Sequence, residues 1–288
     1  MLGTTLFSFK SIVIKLAFDY QLDAEQVIVL RMLFAAPIYS ILLIWYLHKK
    51  PVPASRVFGN FWTVLVSGVL GYYLASLLDM KGLEYISAQL ERLILYTYPG
   101  FVMLFSWIVW RVLPGRRTIL AMLITYFGIV IVLGFEVQLI GADALLGAFY
   151  ILISAAAFGV YLVLSKQGIA AMGSQVFTCL AMLIATVCVL LHLLVLQATE
   201  IFSLPIMAYA WVLVLVIFCT VIPSLLIAAA IARLGPQQTS ILGGLGPVMT
   251  AGFAVVILSE PFGLNHALGT LCVITGVWLI ATEKNKAD

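Results

Sequence analysis

Apolar residues run through this 288-residue sequence in ten stretches separated by short polar breaks. They lie near 2–18, 27–47, 58–78, 85–110, 118–135, 145–165, 175–196, 206–231, 237–258 and 264–282. Each is close to the roughly 20 residues that a helix needs to cross the hydrocarbon layer at about 1.5 Å per residue. The short alternating segments of a closed membrane barrel are absent. The pattern therefore predicts an all-α integral membrane protein with ten transmembrane helices, its loops short and marked by turn residues such as Pro51, Pro53, Pro114 and Gly141.

The stretches repeat. Ser76-Leu77-Leu78 recurs as Ser224-Leu225-Leu226, and at the same offset of 148 Gln89 meets Gln237, Pro99 meets Pro247, Phe105 meets Phe253, Gly115 meets Gly263 and Gly128 meets Gly276. At an offset of 151, Phe7-Ser8 and Lys15 match Phe158-Gly159 and Lys166. A proline and two glycines in ungapped register are harder to obtain by chance than shared leucines. The reading is two five-helix units, residues 1–137 and 144–283, meeting where Gly141 and Asp143 interrupt the apolar pattern. Internal symmetry in a membrane chain points to a transporter with its site between the halves.

Charge sets the orientation. Ten of the fifteen bases, Lys49, Lys50, Arg56, Arg111, Arg116, Arg117, Lys166, Arg233, Lys284 and Lys286, fall on one side of the predicted membrane. The other side holds Asp19, Asp23, Glu25, Asp79, Glu84, Glu136, Asp143, Glu200 and Glu260, with Lys81 as its base. The positive-inside rule then predicts a multi-pass protein of the cytoplasmic (inner) membrane with both termini in the cytoplasm. Five spans per unit is an odd number, so the second unit is inverted relative to the first.

Composition agrees: 64% of residues are hydrophobic and 9% charged, against roughly 25% charged in a soluble domain. The net charge of +3 reflects anchoring beside acidic headgroups, not affinity for nucleic acid. Cys179, Cys188, Cys219 and Cys272 lie within predicted spans without CxxC spacing and read as packing residues. No metal-ligand or cofactor pattern is present, and Lys10 within the first stretch is the wrong charge order for a cleaved signal peptide.

Lys10, Lys15, Arg31, Glu91 and Arg92 lie inside or near the spans, where a charge at mid-helix costs about 2.5–3.5 kcal/mol. Lys15 and Arg31 are close enough to span ends to snorkel. Lys10 and Glu91 lie roughly 11–18 Å deep. The sequence thus predicts an approach of Glu91 to Lys10, with Arg92 as surplus positive charge. That pair is either a structural lock between two helices or a charged substrate or proton site.

Helical spacing adds candidates. Arg92, Tyr96 and Pro99 share one face of span 4, with Glu91, Leu95 and Tyr98 beside it; the counterparts in span 9 are Ser240, Gly244 and Pro247, beside Thr239, Gly243 and Gly246. Rings and charge in the first unit thus oppose bare backbone in the second, which suits a small-molecule site or simple close packing. Pro99 and Pro247 are expected to bend their helices. Tyr72, Ser76 and Asp79 share a face of span 3, matched by Thr220, Ser224 and Ile227, while Tyr161 falls opposite Lys10. The expected substrate contacts are Lys10, Tyr72, Ser76, Glu91, Arg92, Tyr96, Tyr98, Tyr161, Ser224, Gly243 and Gly246.

The aromatic-small-x6-Lys opening of both units, Arg31-x3-Ala35, and the run from Leu83-Glu84-Tyr85-Ile86-Ser87-Ala88 to Pro99 resemble the EamA-type group of the drug/metabolite transporter superfamily. So do Gly235-x11-Pro247, Ser259-Glu260-Pro261 and Gly269-x6-Gly276. The resemblance implies two inverted halves, a cavity formed mainly by spans 1, 3, 4, 6, 8 and 9, and alternating-access movement of small metabolites, often export of amino acids. Two positions depart from the pattern. Ser8 replaces a small Gly, and Val112 stands where the second unit has Glu260, so Glu260 is not expected to be needed symmetrically.

The leading function is a secondary transporter, exporting small polar or amphipathic metabolites such as amino acids, with Glu91 a candidate carrier of a coupling proton. Its partners are a small-molecule substrate and the bilayer, with no nucleic acid, and it is read as a monomer or homodimer. A structural or assembly subunit is the alternative. An intramembrane enzyme would need clustered catalytic groups, and a channel a ring of charges; neither is seen.

Overall fold

The computed structural model describes residues 2–111, 115–196, 204–242 and 246–281. The described residues are helical almost throughout and contain no strand. Among the described residues, seven helical runs are long and apolar enough to span a membrane, including Ala24–Lys49, Phe61–Leu83, Asp143–Met172 and Ile206–Pro236. The chain is a multi-pass helical membrane protein. Its outward faces carry apolar side chains such as Phe127, Leu194 and Val256, which lipid rather than water would solvate.

Helices α1 (Leu2–Ser8) and α2 (Lys10–Phe18) form a rod interrupted at Phe9. Helix α3 (Ala24–Lys49) begins with a capping box: Asp23 accepts the Gln26 N–H at 2.7 Å, and the Gln26 side chain accepts the Asp23 N–H at 3.1 Å. Glu84 accepts the next orphan donor, the Ala24 N–H, at 2.7 Å. Burial raises the Glu84 carboxyl above its ordinary value, and that bond opposes the shift. Helices α4 (Ala54–Gly59) and α5 (Phe61–Val66) lead into a π-helical stretch, Ser67–Leu74, and α6 (Ala75–Leu83). Then come α7 (Ala88–Leu95), α8 (Tyr98–Trp110) and α9 (Arg116–Ile140).

The second half runs through α10 (Asp143–Met172), α11 (Ser174–Leu196), α12 (Ile206–Val216), a π-helical stretch Ile217–Val221, α13 (Ile222–Leu242), α14 (Gly246–Leu258) and α15 (Leu264–Ala281). The first predicted stretch is therefore divided between α1 and α2. It is thus not one continuous helix of crossing length. The described residues of the ninth belong to the end of α13 and to α14. Helix α13 bends at Gly235, whose φ of 80° a side chain would disfavour.

Small residues set the closest helix contacts. Helix α9 packs on α15, where a Cβ on Gly128 would stand 2.7 Å from the Gly269 carbonyl oxygen. Helix α6 packs on α10 in the same way, a Cβ on Gly82 falling 2.9 Å from the Gly147 carbonyl oxygen. Such glycines let backbones approach and gain dispersion energy where lipid supplies no hydrophobic drive. The two π-helical stretches occupy one register of the repeat: Gly71 and Tyr72 correspond to Cys219 and Thr220 at the offset of 148. π-Helical turns widen a helix locally and occur often at functional sites.

Candidate functional site

Both π-helical stretches contribute to the wall of a central cavity with about 630 Å³ of empty space, part of it open to the outside. The first half lines it with Phe7, Lys10, Arg31, Gly71, Tyr72, Ala75, Ser76, Asp79 and Leu95. The second half supplies Ser154, Phe158, Tyr161, Met182, Cys219, Thr220, Pro223, Ser224 and Ile227.

Lys10 forms a buried ion pair with Asp79. This corrects the predicted Lys10–Glu91 pair. Asp79 read as a residue near a loop, but α6 continues to Leu83 and carries Asp79 inside the bundle at 1% exposure. Only one oxygen of Asp79 is used by Lys10; Oδ1 has no hydrogen-bond partner.

Glu91 belongs to an adjoining cluster behind the cavity wall. Its Oε2 accepts a hydrogen bond from the Ser11 hydroxyl at 2.6 Å and lies 3.9 Å from Arg92 Nε. Arg92 donates to the Phe7 carbonyl at 2.6 Å, to Ser11 Oγ at 3.2 Å and to Thr250 Oγ1 at 3.2 Å, while Thr250 donates to the Ser8 carbonyl at 2.9 Å. The cluster ties α1, α2, α7 and α14 together. Gly246 borders it, its would-be Cβ 3.3 Å from Ser8 Oγ, so the Ser8 departure is met by a glycine across the interface.

Arg31 does not snorkel. It is 4% exposed, turned into the cavity wall, and its Nε has no hydrogen-bond partner. Eight positions into α3 the helix is already enclosed by Ile28, Leu30 and Met32, all fully or nearly buried. The sequence marks this arginine but not its direction.

The aromatic candidates divide. Tyr72 and Tyr161 line the cavity with their hydroxyls 2.7 Å apart and their rings edge to face. Gly71 makes room for them, since a Cβ there would stand 2.4 Å from Tyr161 Cγ. Phe158 packs against Tyr161 and also against Tyr98. Tyr96 and Tyr98 are buried at the junction of α7 and α8, outside the cavity lining. Pro99 occupies the first turn of α8, where a missing N–H costs nothing; the break itself falls at Tyr96 and Thr97. Pro247 lies in α14, buried. Ser76 and Ser224 both line the cavity, and Ser224 is bonded to the Tyr39 hydroxyl at 2.7 Å. Gly243 lies outside the described residues. Thus Lys10, Tyr72, Ser76, Tyr161 and Ser224 are brought together, whereas Glu91, Arg92, Tyr96, Tyr98 and Gly246 stand behind the wall.

Glu260 has a position that the sequence did not suggest. Its carboxylate accepts the Ala88 N–H at 2.8 Å and the Gln89 N–H at 3.3 Å, and Gln89 donates in turn to the Pro261 carbonyl at 3.3 Å. Glu136 accepts from the backbone and hydroxyl of Ser87, whose Oγ accepts the Leu90 N–H at 3.0 Å. Three side chains therefore satisfy the orphan donors that open α7. Among the described residues no group of three His, Cys, Asp or Glu side chains is placed to hold a metal ion.

The EamA-like transporter family matches residues 1–134 and again 145–282. The chain is 31% identical over 285 residues to an uncharacterized transporter, YcbK, of Bacillus subtilis (strain 168), covering 96% of this chain and 90% of that one. A second uncharacterized transporter of the same organism, YetK, is 24% identical over 276 residues, 90% of this chain and 78% of its own. A crystal structure with 17% sequence identity superposes at a TM-score of 0.67 over 97% of both chains, a likeness of fold.

Proposed function

The chain belongs to the EamA-like transporter family, and on that premise we propose that it is a secondary transporter. It carries small polar or amphipathic metabolites, amino acids among them, outward across the cytoplasmic membrane by alternating access. The observation that carries this reading is the central cavity, to which both halves contribute a wall that mixes an ion pair, an uncommitted guanidinium and four aromatic rings. Rings and a few directed polar groups are what an amphipathic ligand needs.

Two inverted five-helix units supply the moving parts. The sequence repeat, the odd span count per unit and the matched register of the two π-helical stretches support that arrangement. Broken helices at mid-membrane are where such transporters place their sites. The basic face is cytoplasmic by the positive-inside rule, which puts both termini inside. Outward direction rests on the family resemblance. Glu91, enclosed with Ser11 and Arg92 beside the cavity, is the group proposed to exchange a coupling proton.

Metabolite profiling of cells that lack or overproduce the protein tests the reading. Expected is a reciprocal shift of one or a few small metabolites between cells and medium. No change in the distribution of any small metabolite would overturn it.

A further inference from the structure

Resting on the transport reading above, we infer that Arg31 is the anchor for a carboxylate on the transported molecule. The chain's own groups leave this guanidinium unmatched. Around the cavity, Lys10, Arg31 and Arg92 face two acids, Asp79 and Glu91. Lys10 is paired with Asp79. Arg92 lies beside Glu91 and is held by the Phe7 carbonyl, Ser11 and Thr250. The titratable groups near Arg31 are Tyr39, Asp79 and Cys219. Of these, Asp79 is engaged by Lys10, and the Tyr39 hydroxyl is bonded to Ser224.

Arg31 thus keeps a positive charge in the cavity wall, with Nε lacking any partner. An enclosed charge of this kind is costly unless something pairs with it. A guanidinium presents its donors as a planar fork that a carboxylate meets with two parallel bonds. One carboxylate matches the one guanidinium in the cavity wall, which no acid among the described residues engages, since Asp79 is already paired with Lys10. Phe7, Tyr72, Phe158 and Tyr161 offer the remainder of the molecule an apolar surface.

The test extends the profiling to cells carrying wild type, Arg31→Gln or Arg31→Lys at equal amounts in the membrane. Wild type is expected to shift compounds that bear a carboxylate. Arg31→Gln is expected to reduce that shift at least tenfold. Arg31→Lys, which keeps a point charge without the fork, is expected to raise the half-saturating concentration with little change in maximal flux. If the shifted compounds carry no carboxylate, the inference falls, whatever the variants do, and the transport reading stands. Equal shifts from wild type and Arg31→Gln would also overturn it. Should Arg31→Gln fail to reach the membrane, Arg31→Lys decides: an unaltered half-saturating concentration overturns the assignment. If wild type shifts nothing, the transport reading itself fails and takes this inference with it.

Discussion

Lys10 on α2 is ion-paired with Asp79 on α6 in the wall of the central cavity. The pair joins the first rod of the chain to the helix that follows the first π-helical stretch. It also fixes which charges are committed, for with Asp79 holding Lys10 the guanidinium of Arg31 is left to face the cavity.

Breaking this pair from one side should harm the protein more than removing it whole. Lys10→Met or Asp79→Leu alone leaves a buried charge without its partner, an expected loss of about 3–5 kcal/mol. The double variant removes both charges and should recover most of that stability. Thermal unfolding of the three purified variants in one detergent checks this. A double variant as unstable as the worse single one would show that the pair's charges do not compensate each other.

Gly71→Ala should displace Tyr161. Its Cβ would stand 2.4 Å from Tyr161 Cγ, and that side chain is 1% exposed, so the ring must move, and its hydroxyl bond to Tyr72 is disturbed with it. Overpacking of this kind costs about 1–3 kcal/mol. Flux is expected to fall by more than the small stability loss explains. Thermal unfolding and metabolite profiling on the same variant separate the two effects.

Glu260→Ala should loosen the start of α7. It removes the acceptor of the Ala88 and Gln89 N–H groups, with an expected loss of about 1–2 kcal/mol, as for other helix caps. Hydrogen exchange should rise first at Ala88 and Gln89. Glu260→Asp, shorter but still charged, should fall between the variant and wild type.

The helical class, the membrane setting and the family were legible in the sequence because each depends on apolar pattern and motif order alone. The cavity was legible in part. Tyr72, Ser76, Tyr161 and Ser224 followed from helical spacing and the repeat, both of which preserve which face a residue lies on. Partner choice was not legible, because it depends on rotation between helices. Lys10 therefore meets Asp79 instead of Glu91, and Arg31 turns inward instead of toward the interface. The role of Glu260 was hidden for a related reason: it caps a helix opening more than 170 residues earlier in the chain, and comparison of the two units in sequence carries no trace of that contact. The sequence did hold one unused signal. Arg31 is part of a motif in span 2 and lies in a stretch otherwise almost wholly apolar.

Alternating access through this cavity is tested most directly at Ser76, a half-buried lining residue. The four native cysteines, Cys179, Cys188, Cys219 and Cys272, are first replaced by alanine, and Ser76→Cys is introduced into that background. A membrane-impermeant maleimide is then applied to intact cells and, separately, to inverted membrane vesicles. Because the label is irreversible, even a briefly visited state accumulates signal. Labelling of the Ser76→Cys protein from both faces is the expected result. Labelling from one face only, however long the exposure, would contradict it.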